Sequence, residues 1–395
     1  MTEEVNPNFS SRLSWTSRPN ALARLQCSKA HLGVPLLDLT QSNPTTTGFV
    51  FPPALSAALD HPDAMSYEPA PRGLPAARQA VADYYAAKGA AVASDDVILT
   101  CSSSEAYTNL FRLLADPGDE VLVPRPGYPL FDDLAALESV VPVTYPAVYD
   151  KRWRIDVDAL AAAVSARTRA VIAVNPNNPT GAWLTREAWD SICSICVTHN
   201  LAAIVDEVFA DFAIGPPEDA LTTVVGQPPM PTFVISGLAK VAALPQMKLG
   251  WIAVCGPPAL RGAAIDGLEL IADTFLSVST PVQLALPSLL EARHDLQAQI
   301  LSRLRFNLAS LTAAVDGSAA EVLTVEGGWY AIVRMPDRHN DEDWALRLLT
   351  EQDVLMHPGF LFDFAEDHCL VCSLLTPQSE FAAGVARLMD LIAAD

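Results

Sequence analysis

The stretch Ala170-Val-Ile-Ala-Val-Asn-Pro-Asn-Asn-Pro-Thr-Gly181 decides how the rest of the chain is read. Its first five residues are apolar and rich in β-branched side chains. They are too few for a helix and end in turn residues, so they read as a short strand buried on both faces. The Asn/Pro/Gly run behind them favours a turn. A buried strand that stops at such a loop is where parallel α/β sheets build ligand sites. Two further segments repeat the arrangement. Ala202-Ala-Ile-Val205 runs into Asp206-Glu-Val-Phe-Ala-Asp-Phe212, and Thr232-Phe-Val-Ile235 runs into Ser236-Gly-Leu-Ala-Lys240 and on to Pro245-Gln-Met-Lys-Leu-Gly-Trp251. Taken singly these are a turn, a helix cap and a surface lysine. In this order, each behind a buried strand, they mark one site.

Outward from these segments, helical and strand patterns alternate. Helices are expected at 75–88, 105–115, 129–137, 156–164 and 186–199. Strands are expected at 97–100, 120–123, 140–145, 170–174, 202–205, 232–235 and 251–254. Short apolar strands separated by helices predict a largely parallel sheet covered on both faces. After about residue 257 the texture changes. Long helical patterns fill 259–276 and 296–315, and strands follow at 321–325, 329–333 and 369–374. Helices at 343–351 and 380–393 complete this part, which reads as a second, α+β unit. No repeat or low-complexity linker interrupts the chain.

The 395 residues carry 25 Lys+Arg against 46 Asp+Glu, a formal charge of −21. Residues 317–395 alone hold 14 acidic and 4 basic side chains. This balance argues against a nucleic-acid partner, because phosphate-backbone affinity comes from clustered Lys and Arg. An anionic ligand would have to meet local cations or backbone N–H groups. The first residues are acidic and lack an apolar signal region, and no apolar run reaches the ~18 residues of a membrane helix. The seven cysteines form no disulfide framework. Cys193/Cys196 and Cys369/Cys372 have C-x-x-C spacing, but they sit in apolar sequence and read as core residues rather than zinc ligands. No metal is expected, and a reducing cytoplasm is the expected location.

With these motifs in place, the chain resembles the fold type I pyridoxal 5′-phosphate enzymes, specifically the class I/II aminotransferases. The resemblance runs from Ser42-Asn-Pro-Thr45 through Tyr67-Glu-Pro, Ser102-Ser-Ser-Glu-Ala106, Pro126-Gly-Tyr-Pro129 and the three segments above to His357-Pro-Gly359. It implies an α/β fold with a large cofactor-binding domain over 46–280 and a smaller α+β domain built from 1–45 and 281–395. It also implies roles for particular residues. Lys240 matches the lysine that condenses with the cofactor aldehyde and then moves protons as general acid/base. Asp206 matches the carboxylate that pairs with the pyridine nitrogen and raises its pKa. Asn178 matches the amide that bonds the ring 3′ oxygen, and Tyr128 the aromatic stacked on the ring, although it also reads as a core tyrosine. Ser103 and Ser104 match a phosphate loop at a helix N-terminus. Lys248 falls where a phosphate-binding Arg is usual, supplying the charge without the bidentate fork. Tyr67 matches a tyrosine that reaches the neighbouring subunit's phosphate, which implies a homodimer with shared sites.

Four positions depart from the family. Phe209 replaces a tyrosine and cannot donate a hydrogen bond to the 3′ oxygen. Gly237 stands where Ser or Thr is frequent, and Ser42 where Gly is frequent. The stretch Cys369-Leu-Val-Cys-Ser-Leu-Leu-Thr376 lacks the arginine that clamps a substrate carboxylate, Val371 aligning to it. Arg334, in an expected core strand, Arg72, and Arg12 or Arg18 are alternative clamps, while Arg338, Arg347 and Arg387 are the remaining arginines from 317 onward. Either the carboxylate is held differently or the substrate is not an ordinary α-amino acid.

The expected function is transfer of an amino group between an amino acid or amine and a 2-oxo acid. A lyase, decarboxylase or oxidase of the same cofactor class is the alternative. A ligand sensor of this fold is disfavoured, because only about 45 residues, not basic, precede the large domain. The scarcity of cations leans away from aspartate or glutamate as the donor.

Overall fold

The computed structural model describes residues 10–13 and 19–395; Arg18 lies outside them. Eight strands form the central sheet: β1 (Val97–Thr100), β2 (Glu120–Arg125), β3 (Val141–Asp150), β4 (Arg152–Ile155), β5 (Thr168–Val174), β6 (Ala202–Asp206), β7 (Thr232–Gly237) and β8 (Gly250–Cys255). Their spatial order is β1-β8-β7-β6-β5-β2-β3-β4. The run β7-β6-β5-β2-β3 is parallel, while β8, β1 and the edge hairpin β3-β4 add antiparallel pairs. Strands β1, β2, β6, β7 and β8 are buried at every residue, as expected of strands covered on both faces.

One face packs on α1 (Ser103–Leu114) and the helix Pro258–Phe275 through Leu110, Phe111, Ile265 and Leu268. The other packs on the helices Pro75–Ala87 and Arg186–His199 through Tyr85, Trp189 and Ile192. Cys193 and Cys196 belong to this second core.

A small antiparallel sheet follows, built from β9 (Glu321–Val322), β10 (Tyr330–Arg334), β11 (His357–Pro358) and β12 (Cys369–Ser373) in the order β9-β10-β12-β11. The segment Leu37–Asp38 pairs in parallel with Val354–Leu355 as a separate two-stranded sheet, and the Ser373 N–H donates to the Leu39 carbonyl, which ties this part of the chain to the small sheet. Cys369 and Cys372 lie in β12 as free, buried thiols. Among the described residues no group of three or more His, Cys, Asp or Glu side chains could hold a metal ion. No described helix is long and apolar enough to cross a membrane.

The departures from the sequence reading have physical causes. Helix α1 starts at Ser103, two residues early, because Ser102 is its cap and accepts from the Glu105 N–H. Strand β3 runs to Asp150 because it pairs with β4 as a half-exposed edge hairpin, and Pro142 and Pro146 interrupt the pattern that would announce it. The helix Thr280–Glu291 contains Pro287, which ordinarily ends a helix. The helix Ala21–His31, capped by Asn20, and the strand Leu37–Asp38 also carry too weak a pattern to be read.

Candidate active site

Strands β5, β6 and β7 end in step, with Val174 opposite Asp206 and Asp206 opposite Ile235. The three loops that the sequence singled out therefore leave from one edge. They enclose a cavity of about 310 Å³ lined by Ser103, Ser104, Tyr128, Asn178, Asp206, Lys240 and Lys248, together with Ser42, Phe209 and Tyr330. A second cavity of about 410 Å³ lies around Tyr145, Trp153 and Trp183 and contains none of the expected site residues.

Asp206 is the last residue of β6 and is 7% exposed. The Val208 N–H donates to Oδ1 at 3.0 Å and the Tyr107 hydroxyl to Oδ2 at 3.1 Å. Burial pushes this carboxyl up to about 6, against the opposing pull of these donors and of Lys240. Lys240 sits in the short helix Leu238–Val241. Its amine lies 4.7 Å from the Trp329 ring centroid and 5.6 Å from that of Phe209. Burial brings it down to about 8, with Asp206 pulling the other way. A buried carboxyl and a buried amine thus both titrate near neutrality in one cavity, a pattern concentrated at functional sites.

The loop after β5 uses its asparagines selectively. Asn175 donates to the Leu221 carbonyl and accepts from the Leu184 N–H, and Asn177 accepts from Thr180. Both hold the loop in shape. Asn178 lines the cavity, and its Oδ1 is buried without a partner. Gly181 closes the loop at φ +70°, where a Cβ would stand 2.4 Å from the Gly327 carbonyl oxygen.

At the other end of the cavity, Ser102 caps α1, and Glu105 accepts from the Cys101 N–H. The first-turn N–H groups of Ser103 and Ser104 have no acceptor within the helix, so with Lys248 they form an anion-attracting corner. Tyr128 packs edge-on against Phe131 at 5.7 Å. The neighbouring Gly127 N–H donates to the Phe362 carbonyl, fixing this loop to the small sheet. Tyr67 is not brought to the cavity of its own chain; it is 74% exposed and borders a separate groove with Glu68 and Leu276.

Phe209 is 3% exposed and meets Trp329 edge-on at 5.3 Å. Val371 lies in β12, fully buried in a cluster with Trp153, Ile332 and Phe362. None of the arginines proposed as alternative clamps lines the cavity among the described residues. Arg334 pairs with Glu321 and Glu366, Arg72 with Glu269, Arg338 with Asp395, and Arg347 with Glu351 and Asp395. Arg387 donates to the Gln352 carbonyl, and Arg12 is exposed.

Tyr107, Trp329 and Tyr330 escaped the sequence reading. Tyr107 had a signal, since it lies four residues after Ser103 on the same helix face. Trp329 and Tyr330 had none, because they arrive from the small sheet.

Comparison with known proteins agrees with this geometry. The family described as aminotransferase class I and II matches residues 34–379, and the chain belongs to it. A glutamate-pyruvate aminotransferase from Haemophilus influenzae is 30% identical over 87% of each chain. An alanine aminotransferase from Mycobacterium tuberculosis is 28% identical over 90% of this chain and 85% of its own. The crystal structure of an alanine aminotransferase from Pyrococcus furiosus shares the fold, with a TM-score of 0.88, 23% identity, and coverage of 98% of this chain and all of the other. The chain is a fold type I, pyridoxal 5′-phosphate-dependent transaminase. A lyase, decarboxylase or oxidase is not favoured.

Proposed function

We propose that the cavity around Lys240 and Asp206 is where this transaminase works, passing an amino group from a small, uncharged amino acid to a 2-oxo acid. The observation that carries this is one buried amine and one buried carboxyl beside the open N-terminus of α1. The residues fit the cofactor. The Ser103 and Ser104 N–H groups and Lys248 would hold the phosphate. The Asn178 amide N–H would donate to the 3′ oxygen, Tyr128 would cover the ring, and Asp206 would pair with the pyridine nitrogen. When bound, the cofactor supplies an aldehyde that takes up the amino group and a protonated ring that draws electrons from the substrate α-carbon. Asp206, whose described hydrogen-bond partners are the Tyr107 hydroxyl and the Val208 N–H rather than a cation, would keep the ring nitrogen protonated. Lys240, lowered to about 8, moves the proton at the α-carbon as a base available near neutral pH. Trp329 and Phe209 present their rings to its amine.

Exposed Tyr67 supports a homodimer in which this side chain reaches the partner's phosphate end. Residues 46–280 would form the cofactor-binding domain, 1–45 and 281–395 the smaller one, and the enzyme would work in the cytoplasm. The alanine and glutamate-pyruvate aminotransferases among its relatives support alanine and pyruvate as a substrate pair.

The test is a half-reaction screen. The cofactor-loaded protein is mixed with amino acids and amines, and conversion of the cofactor to its amine form is followed by absorbance. L-Alanine is expected to convert it with release of pyruvate. Continuous ammonia release would refute transamination, and activity surviving in Lys240→Ala would refute the assignment of the site.

A further inference from the structure

A 2-oxo acid carries a carboxylate, so the cavity must seat an anionic group besides the phosphate. Its two cations stand elsewhere: Lys248 at the start of α1 and Lys240 beside Asp206. Among the remaining polar groups, Ser102 is occupied as a helix cap, and burial pushes the Cys101 thiol upward, which keeps it uncharged. With Ser103, Ser104, Tyr128 and Asn178 given to the cofactor above, the hydroxyls that remain on the lining are those of Ser42 and Tyr330.

Their position is built by one residue. Ser373 stands opposite Tyr330 in the β10–β12 register. Its N–H donates to the Leu39 carbonyl at 2.7 Å and its hydroxyl to the Gln41 carbonyl at 2.5 Å. Ser42, the next residue, is thereby held on the cavity lining that Tyr330 shares. The Phe209 ring stands at 84° to the Tyr330 ring at 6.5 Å and fixes its tilt. Burial keeps the phenol protonated and so able to donate. Among the described residues no cation stands on this wall, and Val371 on the adjoining strand is locked in an apolar cluster.

We propose that the Ser42 and Tyr330 hydroxyls seat the substrate carboxylate. This rests on the reading of the cavity as the transaminase site. An uncharged seat discriminates by hydrogen bonding rather than by ion pairing, so a neutral group that accepts hydrogen bonds can replace the carboxylate at modest cost. The substrate class therefore extends to 2-amino amides and 2-amino alcohols.

The test compares single-turnover efficiencies of the cofactor-loaded enzyme toward L-alanine, L-alaninamide, L-alaninol and ethylamine. The wild type is expected to accept alaninamide and alaninol within about tenfold of alanine, since an ionised acceptor is roughly twice as strong as a neutral one. In Tyr330→Phe, the ratio of alanine to ethylamine efficiency should fall roughly tenfold or more, with a smaller fall in Ser42→Ala, because each removes one hydrogen bond to a charged group. A merely structural role would lower both substrates together and leave the ratio unmoved. Wild-type preference for alanine over alaninamide beyond a thousandfold, or an unchanged ratio in both variants, would overturn the seat. Failure of the wild type to react with any amino donor would instead overturn the transaminase reading of the cavity.

Discussion

Asp206 offers the sharpest test of the site's electrostatics, and Tyr107 is the lever. In the protein without cofactor, burial raises this carboxyl from 3.8 to about 6. A raised carboxyl makes the native state hold a proton that the unfolded chain has released. Its contribution to stability is therefore fully present below the unfolded pKa and is lost as pH rises through about 6. The span is worth about 3 kcal/mol at 1.36 kcal/mol per pKa unit. Tyr107→Phe removes the hydroxyl that donates to Oδ2 at 3.1 Å. A hydrogen bond to a charged group is worth roughly 1.5–3 kcal/mol, so the carboxyl should climb a further one to two units. The assay is denaturant unfolding of the cofactor-free protein from pH 4 to 8, with Asp206→Asn subtracted at each pH to remove the other carboxylates. The difference should fall until about pH 6 in the wild-type background and until about pH 7–8 in the Tyr107→Phe background. A flat difference curve would refute the raised carboxyl. Identical midpoints in the two backgrounds would refute the role given to Tyr107. Loading with the cofactor should move the wild-type midpoint down, because the protonated pyridine nitrogen supplies the cation that Asp206 lacks.

Two other substitutions probe positions where the chain departs from its family. Phe209→Tyr adds a hydroxyl beside Trp329 and Tyr330 and should lower the pH at which the visible absorption of the bound cofactor changes. An unmoved and already acidic midpoint would contradict this. Val371→Arg inserts a charge into a fully buried apolar cluster and should cost roughly 3–5 kcal/mol, read as a lower unfolding midpoint. A stable variant with a tightened grip on alanine would mean that the strand can turn this side chain to the cavity.

What could be read from the sequence follows from where the information is local. Buried strands such as Val97–Thr100 and Ala202–Asp206 announce themselves because both faces need apolar side chains. The β3–β4 hairpin does not, since it is half exposed at the sheet edge and Pro142 and Pro146 break the run of β3. Asp206, Asn178 and Lys240 were visible because each follows its strand directly, so strand position fixes site position. Tyr330 reaches the cavity, and Trp329 the Lys240 amine, only through the small sheet, whose pairing with the segment around Leu39 spans more than 300 residues between Ser373 and Leu39. No local pattern encodes such a contact. The arginines illustrate the converse. Arg334 seemed available from its strand, but Glu321 and Glu366 take up its guanidinium.

The acidic balance of the chain acquires its meaning inside the cavity. Asp206 contributes one negative charge, and Lys240 and Lys248 contribute two positive charges. A phosphate monoester brings about −1.5 to −2 at neutral pH and would take up Lys248, Lys240 would be given to the cofactor aldehyde, and the protonated pyridine nitrogen would pair with Asp206, so no free cation would remain among the described residues of the loaded cavity. A single carboxylate can still be seated there by oriented hydroxyls, because dipoles require no counter-ion. A second carboxylate has no such seat, and removing it from water without a partner is costly. L-Alanine should therefore exceed L-glutamate by at least tenfold in half-reaction efficiency, and the gap should close when the γ-carboxylate is neutralised, as in L-glutamine. Equal reaction with glutamate and alanine would require a cation that the described residues of this cavity do not supply, and so would refute the charge argument.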